Sequence, residues 1–114
     1  MRFGVSTWMW VCPFTDEDLG LLKKISDMGL TAVEIPIELE DQFDAEMVGS
    51  IVADLGLSCS VVAIMNDDRD PIHPDPQIQQ NGLRYLRHCA DTLAMLGGGP
   101  ISSTGAASRP VMVP

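Results

Sequence analysis

Hydrophobic and polar positions change period several times along the chain. Phe3, Val5 and Thr7 alternate with Gly4, Ser6 and Trp8, which predicts a first strand of about six residues. Thr15-Asp16-Glu17-Asp18 then has the form of a helix start, with Thr15 as N-cap and Asp18 placed to close a capping box. Leu21, Leu22, Ile25 and Met28 follow at helical spacing, with Lys23, Lys24 and Asp27 to the outside and Gly29 as the stop. Period two returns over about 31–36: Val33, Ile35 and Ile37 share one face, and Ala32, Glu34, Pro36 and Glu38 share the other. Pro36 has no N–H for a ladder, so regular pairing is expected to end near it.

The same punctuation then recurs. Asp54-Leu55-Gly56-Leu57-Ser58 repeats Asp27-Met28-Gly29-Leu30-Thr31, and Met95-Leu96-Gly97 is a shortened third copy. Before the second copy, Asp44 caps a helix with Met47, Val48, Ile51, Val52 and Leu55 on one side. After it, Cys59 to Ile64 is a nearly continuous apolar run, the form of a parallel strand covered on both faces. Asp75 as N-cap and Pro76 at the first turn open the longest helix, with Ile78, Leu83, Leu86, Ala90, Leu93 and Ala94 on its inner side. Gly97, Gly98, Gly99 and Pro100 occupy positions where a strand gathers β-branched residues, leaving 100–103 as a short fourth strand.

Strands and helices alternate with very short helix-to-strand turns, which requires a parallel sheet with right-handed crossovers. The fold class is therefore α/β, with about four strands and three helices over residues 1–103 and an irregular tail over 104–114. Two architectures satisfy that order: an open doubly wound sheet or an arc of a (β/α)8 barrel. The dinucleotide fold loses its main positive sign because no G-x-G-x-x-G follows the first strand. A whole barrel needs about 250 residues, and this chain has 114.

Composition narrows the partners. Sixteen acidic against seven basic residues give a net charge of -9, which disfavours nucleic acid and anionic membrane surfaces because both demand a surplus of Lys and Arg. No apolar run approaches the roughly 18 residues of a membrane span. Residues 1–6 lack the apolar centre and cleavage site of a secretory signal, so a cytoplasmic location is expected. Cys12, Cys59 and Cys89 are odd in number and lack C-x-x-C spacing; buried free thiols are expected rather than a disulfide or zinc site.

Candidate chemistry is sparse. Glu34 is a carboxylate inside a strand of a sheet expected to be covered on both sides. Burying it unpaired costs several kcal/mol or forces protonation, so a dedicated partner is expected. Trp8, Trp10 and Phe14 fall within seven residues after the first strand and serve either as an apolar substrate wall or as core packing. The loop from Met65 to Pro74 holds Asn66, Asp67, Asp68, Asp70 and His73, but its spacing matches no EF-hand, so turn chemistry is expected there. The segment 38–43 is expected to be a solvated acidic loop. The three glycines at 97–99 are followed by no helix and by no Gly-Lys-Ser/Thr, so they form no phosphate cradle.

Phe3-Gly4-Val5-Ser6, the run Gly29 to Ile35, and Pro74-Asp75-Pro76 leading to Asn81-Gly82-Leu83 and Leu96-Gly97 resemble the sugar phosphate isomerase/epimerase family. These are xylose-isomerase-like TIM barrels that include the D-tagatose and D-psicose 3-epimerases. The resemblance covers about 2–103 and implies the N-terminal part of that barrel. It implies a sugar substrate, a divalent metal (Mn2+ or Mg2+) held by a Glu, an Asp, a His and a second Glu, and proton transfer next to a carbonyl. In the family those ligands lie on later strands, so no residue of this chain is assigned to metal or to catalysis. The resemblance assigns substrate-side lining to Trp8, Trp10, Glu34, Met65 and Asn66.

The glycine run departs from the aliphatic fourth strand usual in the family, and a truncated product, inactive alone, is expected. The alternatives are a half-barrel that associates with itself or a complementary fragment through open sheet edges, and a fragment of an endonuclease IV-like nuclease, which the charge disfavours.

Overall fold

A computed structural model describes residues 3–104. Four strands, β1 (Gly4–Ser6), β2 (Ala32–Ile37), β3 (Ser58–Ile64) and β4 (Ile101–Thr104), alternate with three helices, α1 (Gly20–Asp27), α2 (Ala45–Leu55) and α3 (Pro76–Met95). The strands are all parallel and lie in the order β1-β2-β3-β4. A doubly wound sheet reverses its strand order and places helices on both faces. Here the order never reverses, and the helices share one face. Val33, Ile35, Ile37, Cys59, Val61 and Ala63 point to that face and form one core with Leu22 and Ile25 of α1, Val48 and Val52 of α2, and Tyr85, Cys89 and Leu93 of α3. This is the winding of a (β/α)8 barrel, of which the chain forms an arc.

The other face carries small and polar side chains over much of its area, Gly4 and Ser6, Ala32 and Glu34, Ser58 and Ser60, Ser102 and Thr104, with Pro36, Val62 and Ile64 toward the C-terminal ends of β2 and β3. In a closed barrel this face points to the axis. In the four-stranded arc it stays partly open, and Ser6, Glu34 and Ser60 are half-buried.

Local chemistry explains where elements stop. β1 is shorter than its alternation predicts, because Ser6 Oγ accepts from the Trp8 N–H and caps a 3-10 turn over Thr7–Met9. The Thr15–Asp18 capping box forms as expected, although it caps a short 3-10 turn before α1. Pro36 does not end pairing: β2 stays in register with β3 through Ile37. β1 pairs only as far as Glu34, so the missing N–H deprives no strand on that side, and the Pro36 carbonyl accepts instead from Gln42 Nε2 at 2.9 Å.

The glycine run also has a steric reason. All three glycines have positive φ, and a Cβ on Gly99 would lie 2.2 Å from the Cys59 carbonyl oxygen. The chain leads from α3 into β4 in close contact with the backbone of β3, two residues before Ile101 pairs with Val61. Thr104, expected in the tail, is the last residue of β4, and its Oγ1 accepts from the Met65 N–H at 3.2 Å. The rest of the expected tail lies outside the described residues.

Candidate functional site

In a parallel α/β sheet the groups available for binding gather at the C-terminal strand ends. Here that end is built from the turn after β1, the turn after β2 and the loop after β3. A cavity of about 700 Å³, lined by Thr31, Gly56, Leu57, Leu96 and Gly97 among others, lies at the opposite end, where strands begin and helices finish. Its walls carry no Asp, Glu, His, Lys or Arg side chain, and the thiol of Cys59 is buried and held protonated; the charged groups gather at the other end.

Across the inner face, Ser6 pairs in register with Glu34, and Glu34 with Ser60. Together with Gly4 and Ala32 they line a shallow cavity of about 190 Å³. The dedicated partner expected for Glu34 is not found among the described residues. The reason is geometric: the expectation assumed cover on both faces, whereas the arc leaves this carboxylate half-exposed to water.

The aromatic segment divides. Phe14 enters the core, 1% exposed, with its ring edge-on to Phe43 at 5.6 Å. Trp10 turns toward α1, where Lys24 Nζ lies 5.6 Å from its ring centre. Trp8 stays exposed just past β1, close enough to the Cys12 thiol to favour its ionised form. Thr7, beside it, is wholly buried on the core face, and its Oγ1 has no partner among the described residues.

Cys12 corrects a further expectation: Cys59 and Cys89 are buried, but Cys12 is exposed. Its thiol donates to the Glu38 carboxylate, with Sγ 3.4 Å from each oxygen. Glu38 raises the Cys12 pKa, first by that hydrogen bond and also by its charge, while Trp8 acts in the opposite direction. Burial alone raises the Cys59 thiol to about 11 and is the largest cause of the rise at Cys89.

The turn after β2 is more ordered than a solvated acidic loop. Gln42 is buried; its Oε1 accepts from the N–H groups of Glu38 (2.7 Å) and Leu39 (3.2 Å). The Glu38 carbonyl accepts from Arg69 Nη1 at 3.0 Å, and Arg69 Nε donates to the Ile64 carbonyl at 2.8 Å. The guanidinium stacks 3.8 Å from the centre of the Tyr85 ring. The Tyr85 hydroxyl accepts from the Ile64 N–H at 2.6 Å and donates to the Ile37 carbonyl. Tyr85 and Arg69 therefore stand between the ends of β2 and β3. Burial is the main cause that holds the Tyr85 hydroxyl protonated, well above the usual phenol range.

Met65 is half-buried and packs against the core, whereas Asn66 is exposed and its Oδ1 accepts from the Asp68 N–H. That turn, and the one in which Asp70 Oδ1 accepts from the Ile72 N–H, is the Asx chemistry the sequence predicts. Of the five expected lining residues, Trp8 stands just past β1, Glu34 lies midway along β2 opposite the last residue of β1, and Met65 and Asn66 directly follow β3, while Trp10 is drawn toward α1. Glu38, Cys12, Arg69 and Tyr85 are additional. The signal for Glu38 was present in its spacing, four residues beyond Glu34 on the same face; nothing in the sequence singled out the other three.

Among the described residues no group of three His, Cys, Asp or Glu side chains can hold a metal ion. No helix among them is long and apolar enough to cross a membrane.

No family model matches the chain. The chain is 29% identical over 98 residues to a ketose 3-epimerase of Arthrobacter globiformis, a match covering 85% of this chain and 34% of that protein. Among solved structures it superposes on an L-ribulose 3-epimerase with a TM-score of 0.81 at 21% identity, covering 90% of this chain and 35% of the other. A D-allulose 3-epimerase from Methylomonas sp. in complex with D-allulose gives 0.80 at 19% identity, covering 90% and 36%. At those identities the structural likeness speaks for the fold. The chain spans about a third of the length of the relatives it matches.

Proposed function

Because the chain is a relative of the sugar phosphate isomerase/epimerase family, the xylose-isomerase-like barrels that include the ketose 3-epimerases, we propose that it forms the opening part of a ketose-epimerising barrel and supplies substrate-side lining. The observation that carries this reading is the inner face of the arc. Ser6, Glu34 and Ser60 lie side by side across three strands, and Trp8 stands at the end of the first. Hydroxyls and a carboxylate next to an aromatic ring match a polyol, whose O–H groups need donors and acceptors and whose C–H face needs an apolar surface.

In this reading Glu34 accepts from sugar hydroxyls, Ser6 and Ser60 donate or accept as required, and Trp8 covers one side. Asn66 and the backbone after Met65 extend the lining, and Trp10 steadies the turn from its place near Lys24. The family resemblance implies a divalent metal that polarises the carbonyl during proton transfer. No group of three His, Cys, Asp or Glu among the described residues fits that ion, so no step at a metal is assigned to these side chains. The whole activity therefore requires the rest of a barrel.

The test is an assay of the purified chain with D-fructose and D-allulose in the presence of Mn2+. The proposal expects binding without turnover; clear epimerisation by the chain alone would overturn the division of labour. A second reading is favoured by the outer edges of β1 and β4, unpaired among the described residues, where Phe3 is 63% and Ile101 42% exposed. Such edges invite pairing with another copy or with a complementary fragment. Light scattering at rising concentration decides it: growth beyond the monomer supports association, and a constant monomer mass removes it. A nuclease of the same barrel class is opposed by the charge of -9.

A further inference from the structure

Glu38 is held from both sides of its backbone. A buried glutamine fixes its N–H and Arg69 fixes its C=O, while its carboxylate projects to the rim and meets one neutral thiol. Arg69 is itself anchored three times: by the Ile64 carbonyl, by the Glu38 carbonyl and by the Tyr85 ring. The helix beneath leaves room for this arrangement. A Cβ on Gly82 of α3 would lie 2.7 Å from the Arg69 carbonyl oxygen, so the loop carrying Arg69 rests directly on the helix backbone. A structural carboxylate is normally matched by a cation or several N–H donors. Here the guanidinium takes the carbonyl of the same residue and leaves the carboxylate to face Cys12 and, beyond it, Trp8.

We propose that Glu38, positioned by Arg69, is a hydroxyl-binding group for a polyol at the strand-end mouth, working with the Trp8 ring and covering the Cys12 thiol when the ligand is bound. This rests on the reading of the chain as sugar-binding lining and adds a second acceptor to Glu34. A carboxylate oxygen accepts from two adjacent hydroxyls without reorganising when its backbone is already fixed, and the neighbouring indole covers the C–H side. Cys12 contributes no chemistry to the ligand; it reports on its neighbour.

That report gives the test. Thiolate is the species that alkylates, and its fraction at neutral pH falls as the thiol pKa rises. Cys59 and Cys89 are buried, so iodoacetamide labelling followed by mass spectrometry reads Cys12 first. The charged group facing Cys12 is Glu38, and Glu38→Gln is expected to speed labelling at pH 7 by about three- to tenfold. Arg69→Ala is expected to move the pH profile in the same direction by releasing Glu38, and Arg69→Lys is expected not to restore it, because an ammonium cannot span both carbonyls with a planar fork. An unchanged profile in a folded Arg69→Ala chain overturns the positioning role; should that variant fail to fold, the near-isosteric Glu38→Gln substitution still tests the acceptor.

D-fructose at about twice its dissociation constant should slow Cys12 labelling about threefold in the unaltered chain, and that protection should vanish in Glu38→Gln. Glycine betaine, which has no hydroxyls, should give none. Equal protection of the unaltered chain and Glu38→Gln overturns this proposal while leaving the sugar-lining reading intact. Absence of ketose binding by calorimetry in the unaltered chain overturns both.

Discussion

Replacing Tyr85 with Phe removes one oxygen and leaves the ring beneath Arg69. That oxygen bridges the Ile64 N–H and the Ile37 carbonyl, and Tyr85 is 2% exposed. Each net hydrogen bond contributes about 1 kcal/mol, and a buried group left unpaired costs about 1–3 kcal/mol. Ile37 is buried but Ile64 is partly open to solvent, so water recovers some of the second loss. The expected destabilisation is about 2–3 kcal/mol. With a urea m value of about 1.5 kcal/mol/M, the midpoint should fall by about 1.5 M at unchanged m. Hydrogen exchange should locate the loss, with the Ile64 amide becoming more labile while the Val61 amide changes only with global stability. A midpoint shift under about 0.3 M would refute the reasoning, since it would mean that the strand ends close and pair directly without the hydroxyl.

Other perturbations have equally defined outcomes. Thr7→Val should raise stability by about 1 kcal/mol in thermal or urea unfolding, because it replaces a buried unpaired hydroxyl with a methyl of the same shape; a loss would reveal a partner for Oγ1. Gly99→Ala should cost about 2 kcal/mol or more, since its Cβ would clash with the Cys59 carbonyl and its φ is +137°, and a neutral result would contradict the close approach to the β3 backbone. Cys59 is protonated in the fold up to about pH 11 against 9.0 for a free thiol. Its folded pKa is raised, so its contribution is fully present below pH 9 and is lost as pH rises toward 11. Cys59→Ala should therefore flatten the fall of stability with pH in that window, leaving the part due to Tyr85 and Cys89.

The architecture was legible because each level of the chain repeats one message. The turns at Gly29, Gly56 and Gly97, the capping residues Thr15, Asp44 and Asp75, and the alternation Val33-Ile35-Ile37 each fix an element, and together they leave only a parallel sheet. What the pattern could not convey was how far the sheet is covered. Glu34 was expected to need a partner because a two-sided sheet was assumed; in the arc its face is half open. Pro36 was expected to end pairing, yet the neighbour it would have failed, β1, had already stopped. Residue spacing also carries no information about contacts between loops distant in sequence. Arg69 reaches Glu38 across 31 residues and Tyr85 reaches Ile37 across 48, so the group that orders the mouth had no local signature. The aromatic segment shows the same limit, since composition could not separate the buried Phe14 from the exposed Trp8.

The central claim is that this arc supplies sugar-facing lining to a ketose-epimerising barrel. Its most direct test is a chimera in which residues 3–104 replace the matching third of the Arthrobacter globiformis ketose 3-epimerase, assayed for interconversion of D-fructose and D-allulose. The account predicts a folded chimera that epimerises, with its KM raised by Glu34→Gln while metal content stays unchanged. A folded, metal-loaded chimera that binds no ketose would contradict it.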